Sequence, residues 1–249
     1  MTLIKATTVL FDMDGILAEV SKSYRACIIA TCNDYGATSI TNDTVSEWKA
    51  RGGCNNDWLL SLDLIKSDPN GNKDATLEEV TETFERYYQG DGDTPGLCEL
   101  ETLIPSKETL KELRARCEHM AIVTGRPRKD CELFLKIHAI DHLFEVSVCM
   151  DDGPPKPDPF PVIRACELLG VEPSDKVLMV GDTPDDIRSA LAAGCRAIGV
   201  STLEGAAQAA KEGKKHNESL VSVAMKECGA EVVLEPGFAA LVDFLPENE

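Results

Sequence analysis

Two aspartates separated by one residue stand near the start of the chain, directly after an apolar run. The run is 7–11, and the acids Asp12 and Asp14 are followed by Gly15. Two carboxylates this close repel each other, and burying either without a partner is costly. A divalent cation is the natural compensation, and an oxygen-only cluster suits Mg²⁺ together with a substrate phosphate. A turn after a strand, with Asp as turn former and Gly15 at positive φ, explains the same residues without chemistry.

A hydroxyl-bearing cluster and a lysine follow two other apolar runs. Thr124 and Gly125 come after 120–123, where a hydroxyl and free backbone N–H groups at a helix start can hold phosphate oxygens. Lys156 follows the run 146–149 and an acidic stretch, and it is held before Pro157 ahead of a helix. Taken alone, the first cluster also fits a bland turn, and a lone lysine usually lies on the solvated surface.

A second acidic cluster closes a fourth apolar run. The run 177–180 leads through Gly181 into Asp182 and, after Thr183-Pro184-Asp185, into Asp186. A helix N-cap with acids in the first turn would explain this cluster in isolation. All four clusters stand at the carboxyl ends of predicted strands, where open parallel sheets do chemistry.

The elements that must position these residues alternate between strands and helices. Predicted helices at 107–117, 160–169 and 185–193 separate strands in the manner of βαβ units, so the sequence predicts an α/β fold around a parallel sheet. The strands are predicted at 7–11, 120–124, 146–149, 177–181, 197–200 and 231–234.

The interval 19–103 breaks this alternation. It contains no convincing buried strand, and 23–32 shows helical spacing. A second helix is predicted from an apolar stripe formed by Leu77, Val80, Phe84 and Tyr87. The interval therefore predicts a helical insertion large enough to be a small domain. Near the other end, the Ala-rich and then Lys-rich stretch 205–225 predicts a helix or a mobile excursion.

Charge and cysteine usage restrict the partners and the compartment. The 249-residue chain has a net charge of −18, which argues against nucleic acid or an anionic membrane surface as the main partner. Ten scattered cysteines without a Cys-x-x-Cys pair suggest reduced thiols, and no apolar run reaches the roughly 18 residues of a membrane span. We expect a soluble cytoplasmic protein without a cleaved leader.

The four clusters resemble the motifs of the haloacid dehalogenase superfamily of phosphoryl-transfer enzymes. In chain order they are an acid pair, a hydroxyl, a lysine and a second acid pair, each at the end of a separate strand. The resemblance spans about 7–200 and implies a Rossmann-like three-layer core with a smaller α-helical cap domain. The implied core is 1–18 and 104–249, and the implied cap is 19–103. The resemblance further implies a Mg²⁺-dependent phosphatase that hydrolyses a small phosphorylated metabolite through an aspartyl-phosphate, as a monomer or homodimer.

The resemblance also implies a role for each matching residue. Asp12 is the expected nucleophile and Asp14 the expected general acid and base. Thr124 and Lys156 would hold the transferring phosphoryl group, with Gly125 and Arg126 at the substrate. The expected metal ligands are Asp12, the backbone carbonyl of Asp14, and Asp182, with Asp186 orienting metal waters or Lys156.

Residue identities sort the reactions of this superfamily. An acid at position 14 together with Asp182 argues against haloalkanoate dehalogenation, and Asp14 also argues against phosphonate cleavage. A phosphomutase of the same superfamily and a non-catalytic phospholigand-binding module stay open as alternatives.

Two further segments each allow two interpretations. In the cap, Asn55 and Asn56 follow two glycines in a loop that either contacts the leaving group or serves as a turn and helix N-cap before Trp58. Arg126, Arg128 and Lys129 form either a basic patch for an anionic substrate or a solvated helical turn.

Overall fold

The computed structural model describes residues 5–247, and within them six parallel strands form one sheet. Residues 1–4 and 248–249 lie outside the described residues, although the implied domain division assigns them to the core. The expectation of no cleaved leader concerns residues 1–4 and is therefore not addressed by the structure. A separate antiparallel pair, β2 with β3, joins the sheet to the inserted helices. The strands are β1 (Thr8–Phe11), β2 (Ala18–Glu19), β3 (Thr102–Leu103), β4 (His119–Val123), β5 (Val146–Val148), β6 (Val177–Gly181), β7 (Arg196–Val200) and β8 (Val233–Leu234).

Strand order places β1 inside the sheet between β4 and β6, in the sequence β5-β4-β1-β6-β7-β8. Phe11 pairs with Ile122 on one side and with Val180 on the other. From β1 the chain builds the sheet first toward β4 and β5 and afterwards toward β6, β7 and β8. The crevice beyond the carboxyl end of β1 is therefore the topological switch point, where doubly wound sheets bind ligands.

Helices cover both faces of the sheet because successive strand residues point to opposite faces. In β1, Val9 and Phe11 pack with the helices of one face, while Leu10 packs with those of the other. This three-layer α/β arrangement confirms the predicted fold class. The helices outside the insertion are α5 (Lys107–Arg116), α6 (Arg128–Ile137), α7 (Phe160–Leu169), α8 (Pro184–Ala192), α9 (Leu203–Lys211) and α10 (Leu220–Glu227).

The inserted segment between β2 and β3 is helical and has an apolar core of its own. The predicted stripe of the last inserted helix is confirmed except at its first residue. Val80 and Phe84 are buried and Tyr87 packs against the inserted core, whereas Leu77 is 40% exposed. Tyr88 is also buried, because it lies one turn beyond Phe84 on the same helical face. The inserted helices are α1 (Tyr24–Asp34), α2 (Asn42–Arg51), α3 (Asp57–Ser67) and α4 (Leu77–Gln89).

The stretch 205–225 contains most of α9 and most of α10, which residues 212–219 connect, rather than one helix. Met225 of α10 is buried against the sheet, and α10 also contacts helix α2 of the insertion. These helices therefore form part of the wall between the sheet and the insertion. Across residues 5–247, every helix is too short or too polar to span a membrane.

Candidate active site

Side chains from four separate strand ends converge beyond the carboxyl end of β1. Asp12 follows β1, Thr124 follows β4, Lys156 lies between β5 and α7, and Asp182 follows β6. All four side chains are buried although each is polar or charged. The structure thus brings together the residues that the sequence singled out at distant positions.

Lys156 has a fully partnered ammonium group. Its Nζ lies 2.9 Å from Asp12 Oδ1 and 2.5 Å from Asp186 Oδ1, and it donates to the carbonyl of Val123 at 3.0 Å. Burial opposes the charge, but the two carboxylates outweigh it and raise the pKa of Lys156. Lys156 is consequently a fixed positive charge beside Asp12.

The carboxylates of Asp12 and Asp182 carry more negative charge than their neighbours neutralise. Burial raises the pKa of Asp12 to about 7 against the opposing effect of Lys156. Burial, and then the charges of Asp12 and Asp186, raise the pKa of Asp182 well above its ordinary value. The charges of Lys49 and Arg25 oppose this rise, but within residues 5–247 their ion pairs are with Asp57 and Glu204 and not with Asp182. A buried acid without a hydrogen bond or ion pair of its own is a candidate cation ligand.

Oxygen atoms of Asp12, Asp182 and Asp186 lie within 4.8 Å of one another. Two of these residues have a free coordinating oxygen, whereas Asp186 is already bonded. Its second oxygen accepts hydrogen bonds from the Thr183 backbone at 3.0 Å and from the Thr183 hydroxyl at 2.7 Å, and so caps helix α8. The donor set of Asp12 and Asp182 fits a hard cation such as Mg²⁺, with Asp186 holding Lys156 beside it.

Gly15 is required where the chain leaves the acid pair. Its φ is +71°, and a Cβ built on it would lie 2.3 Å from Asp182 Oδ2. Only glycine combines this left-handed backbone with so close an approach. The positive φ predicted for Gly15 is confirmed, and the missing side chain also leaves room for the candidate cation ligand.

Arg126 corrects the interpretation of a basic patch at the surface. Its side chain is buried, and Nε donates to Asp14 Oδ1 at 2.6 Å. Two further donors bind the carboxylate of Glu101 at 2.9 and 3.0 Å. Arg128, in contrast, is partly exposed and pairs with Asp152 at 2.6 Å. Because its guanidinium is bonded to two protein carboxylates, Arg126 is not presented to solvent as a substrate-binding cation.

The glycine-rich loop between α2 and α3 lies at the acid cluster, where Asn55 and Gly125 line the same cavity as Asp12. The predicted contact of this loop with a leaving group stays a prediction. The backbone N–H groups of Gly53 and Cys54 donate to the carboxylate of Asp185 at 2.8 and 3.1 Å. A Cβ at Gly125 would lie 2.6 Å from Asn55 Nδ2, so Asn55 packs against the loop after β4. The loop therefore attaches the insertion to the sheet domain through Asp185 and Gly125.

Asn56 serves as the N-cap of α3. Its side-chain oxygen accepts hydrogen bonds from Trp58 and Leu59 backbone N–H groups, both at 3.0 Å. The capping interpretation of the sequence thus accounts for this oxygen, which leaves the predicted contact with substrate without support from its hydrogen bonds.

Replacing Asn56 with alanine is expected to lower the free energy of unfolding by about 1 kcal/mol, because two backbone donors lose their acceptor. Asn56→Asp keeps an accepting oxygen and is the control. Thermal and denaturant unfolding measure the loss, and the Michaelis constant of the best substrate should stay unchanged. A Michaelis constant that rises several-fold in Asn56→Ala would instead place this side chain at the substrate.

A cavity of about 50 Å³ opens beside the acid cluster and is walled by both parts of the molecule. Asp12, Asp14 and Asp182 line it from the sheet side, and Arg25 and Lys49 line it from the insertion. Arg25 pairs with Glu204 at 3.2 Å, and Lys49 pairs with Asp57 at 2.7 Å. Sequence reasoning missed both cations because a single Arg or Lys on a predicted helix is usually solvated.

A second cavity, of about 650 Å³, continues from the first between α2, α9 and α10. The two cavities share Arg25, Lys49 and Asp182. A group bound at the acid cluster therefore has open volume behind it on the side of the two cations.

Comparison with known proteins agrees with this geometry. Residues 9–200 match the family model of haloacid dehalogenase-like hydrolases. The phosphoglycolate phosphatase of Mannheimia succiniciproducens is 30% identical over 196 residues, which are 77% of this chain and 84% of the relative. The chain therefore belongs to the haloacid dehalogenase-like hydrolases.

Two further relatives extend the comparison. The imidazoleglycerol-phosphate dehydratase of Phytophthora nicotianae is 46% identical over 239 residues, or 95% of this chain, but the chain spans only about half of that relative, 52% of its length. The crystal structure of a predicted phosphoglycolate phosphatase from Haemophilus somnus has a TM-score of 0.71 at 24% identity and covers 98% of both chains. The second likeness supports the fold.

Proposed function

We propose that this hydrolase is a Mg²⁺-dependent phosphatase that cleaves a small phosphorylated metabolite through an aspartyl-phosphate on Asp12. The observation that carries the proposal is the pairing of a buried Asp12 with Lys156 at 2.9 Å beside the unpartnered carboxylate of Asp182. A carboxylate so placed is oriented for attack, and the lysine offsets its repulsion from a phosphate dianion.

Asp12, Asp182 and the backbone carbonyl of Asp14 would hold the Mg²⁺. When bound, the ion would neutralise the carboxylates and withdraw charge from the phosphoryl oxygens. The protein's contribution is the fixed donor set: Gly15 leaves room for Asp182, and Asp186 keeps Lys156 beside Asp12. This division of labour gives each buried acid of the cluster a separate task.

Asp12 and Asp14 would share the chemistry in two steps. A carboxylate oxygen of Asp12 forms a bond to phosphorus while the ester P–O bond breaks, and Asp14 gives its proton to the departing alkoxide. Asp14 then takes a proton from water, whose oxygen attacks phosphorus and releases phosphate and free Asp12. Lys156 and the Thr124 hydroxyl would stabilise the phosphoryl oxygens in both steps.

The inserted helices would act as a cap over this chemistry. We propose a core of 1–18 and 104–249 and a cap of 19–103. The two-residue pairing of β2 with β3 lies where the chain passes from core to cap and back. Cap contacts at Asp185 and Gly125 would exclude bulk water from the first step, and their release would admit product exchange.

Arg25 and Lys49 support a substrate whose leaving group carries a second negative charge. Both line the cavity from the cap, opposite Asp12. Their carboxylate partners, Glu204 and Asp57, line the same cavity and hold the two cations in place. Arg25 and Lys49 would contact a substrate only on the sides that these partners leave open. The phosphoglycolate phosphatase relative is named for a substrate of this kind, a phosphate ester with a carboxylate.

Lys49→Gln is expected to raise the Michaelis constant for a carboxylate-bearing ester about tenfold or more, because a hydrogen bond to a charged group is worth about 1.5–3 kcal/mol. For a neutral alkyl phosphate we expect a change below about twofold. Lys66→Gln, an exposed lysine of cap helix α3, is the matched control. Equal changes for both esters would show that Lys49 does not recognise the leaving group.

A phosphate-release screen with and without Mg²⁺ tests the proposed function. The panel contains phosphoglycolate, imidazoleglycerol phosphate, hexose phosphates and inorganic pyrophosphate as a substrate that is not an ester. We expect Mg²⁺-dependent release from at least one ester. Isomerisation of a hexose phosphate without release would establish the phosphomutase, and binding without turnover would establish a phospholigand-binding module.

Charge and cysteine content bear on the compartment and the partners of the enzyme. We propose a cytoplasmic monomer or homodimer acting on a small molecule, with nucleic acid and membranes excluded as main partners. The supporting observations are the net charge of −18 and the ten scattered cysteines. Fractionation and light scattering of the native protein would test location and oligomeric state.

A further inference from the structure

Arg126 is a large side chain at the centre of the molecule, with an exposed fraction of only 1%. It lies two residues beyond Thr124, in the loop after β4. Its guanidinium makes four hydrogen bonds through Nε, Nη1 and Nη2, to Asp14, Glu101 and Tyr88. A buried arginine so completely bonded is a fixed part of the structure.

The partners of Arg126 come from both sides of the boundary between core and cap. Asp14 belongs to the core, and its Oδ1 accepts from Nε at 2.6 Å. Glu101 immediately precedes β3, at the return from cap to core, and it binds Nη1 and Nη2 with both oxygens. Tyr88, from cap helix α4, accepts from Nη1 at 3.2 Å.

Glu101 also reaches the other connection between core and cap. Its Oε1 accepts a hydrogen bond from the hydroxyl of Ser23, directly before cap helix α1, at 2.8 Å. One carboxylate is thus bonded to the outgoing segment and, through Arg126, to the loop after β4. Any movement of the cap about its two connections changes the position of Glu101 or breaks these bonds.

Aromatic rings fix the plane of the guanidinium. The Arg126 Cζ atom lies 4.8 Å from the ring centre of Tyr24 in the cap and 5.4 Å from that of Phe134 in core helix α6. A guanidinium held on two rings and bidentate to Glu101 points its Nε in one direction. That direction sets the orientation of the Asp14 carboxyl group.

We propose that Arg126 is a positioning residue for Asp14, and that Glu101 makes this positioning depend on the seating of the cap. The inference rests on the proposed function, in which Asp14 exchanges a proton with the leaving group. Arg126 holds Oδ1, while Asp14 lines the cavity that also holds Asp12. A seated cap therefore presents the second oxygen of Asp14 to the substrate, and an open cap lets that orientation relax.

Two esters that differ in leaving group separate positioning from general damage. An alkyl phosphate needs a proton on its departing oxygen, whereas p-nitrophenolate leaves without one. Arg126→Gln is expected to slow the first, phosphoryl-transfer step about 100-fold for the alkyl ester, the usual scale of general acid catalysis, and less than about fivefold for p-nitrophenyl phosphate. The rate compared is release of the leaving group in the first turnover, because the later hydrolysis of the aspartyl-phosphate uses Asp14 with both esters. A loss of folding or of cap docking would lower both rates alike.

Companion variants keep the test decisive. Arg126→Lys keeps the charge but loses the bidentate fork, so it should reproduce the alkyl-specific loss. Glu101→Gln should also lower the rate for the alkyl ester more than that for p-nitrophenyl phosphate. It replaces Arg126→Gln in the test if that variant does not fold. Arg196→Gln removes a comparable bidentate pair, with Glu231, at the amino end of β7 and should leave both rates unchanged.

The outcomes distinguish the inference from the proposed function. Wild-type protein without phosphatase activity on either ester would overturn the proposed function. Active wild-type protein whose Arg126→Gln and Glu101→Gln variants lose both esters equally, or neither, would overturn the positioning role alone. Full alkyl activity in Arg126→Lys would show that charge suffices and would also overturn it.

Discussion

Replacing Asp12 with asparagine is expected to abolish phosphate release, with a fall in kcat on the order of 10⁴-fold or more. An amide oxygen has no negative charge with which to attack phosphorus, so the covalent step is lost although the shape of the side chain is kept. The carboxylate to be replaced lies 2.9 Å from Lys156 in a buried position.

The fold should survive this change, which makes the kinetic result interpretable. Two effects of this change oppose each other: it removes a buried charge whose pKa burial raises to about 7, and it removes one of the two carboxylates that pair with Lys156. Lys156 keeps its ion pair with Asp186, and the amide oxygen can still accept a hydrogen bond from it. We expect thermal unfolding without a drop in midpoint. Turnover by folded Asp12→Asn within tenfold of wild type would contradict the nucleophile assignment.

Removal of divalent cations is expected to reduce turnover to background, and added Mg²⁺ should restore it. The reason is the unpartnered Asp182 carboxylate, whose pKa burial, Asp12 and Asp186 raise well above its ordinary value. Without a cation, this cluster repels the phosphate dianion that it must bind. Phosphate release after chelation and Mg²⁺ titration measures the effect.

A binding readout separates metal binding from catalysis. Mg²⁺ at about 100 times its dissociation constant should stabilise the folded protein by about 2.7 kcal/mol. Asp182→Asn should abolish or strongly weaken this shift, whereas Asp63→Asn, an exposed acid of cap helix α3, should leave it unchanged. Full activity in the chelated enzyme, or an equal Mg²⁺ shift in Asp182→Asn, would contradict the proposed site.

The parallel sheet and the polar residues at its carboxyl edge were predictable because their signals are local. An apolar run followed by Asp12, or by Asp182, is complete within a few residues, and parallel strands bring such ends to one edge of the sheet. Lys156 needed the other three clusters for its interpretation, since its sequence surroundings alone fit a surface lysine.

The cap side of the site was not predictable in the same way. Arg126 reads as a surface residue in sequence because its partners, Glu101 and Asp14, are 25 and 112 residues away. Arg25 and Lys49 become cavity residues only when the inserted helices pack on the sheet. Their surroundings depend on contacts between segments, which helical periodicity does not encode.

Phosphoryl transfer to Asp12 is the step on which the other assignments rest. Trapping the aspartyl-phosphate on Asp12 tests this step most directly. The enzyme would be mixed with Mg²⁺ and its best substrate, quenched in the first turnover and reduced with borohydride, which converts an aspartyl-phosphate to homoserine. Peptide mass spectrometry should find homoserine at position 12, dependent on substrate and Mg²⁺. Phosphate release in the same quenched samples with unmodified Asp12, or with the label at another residue, would contradict the account.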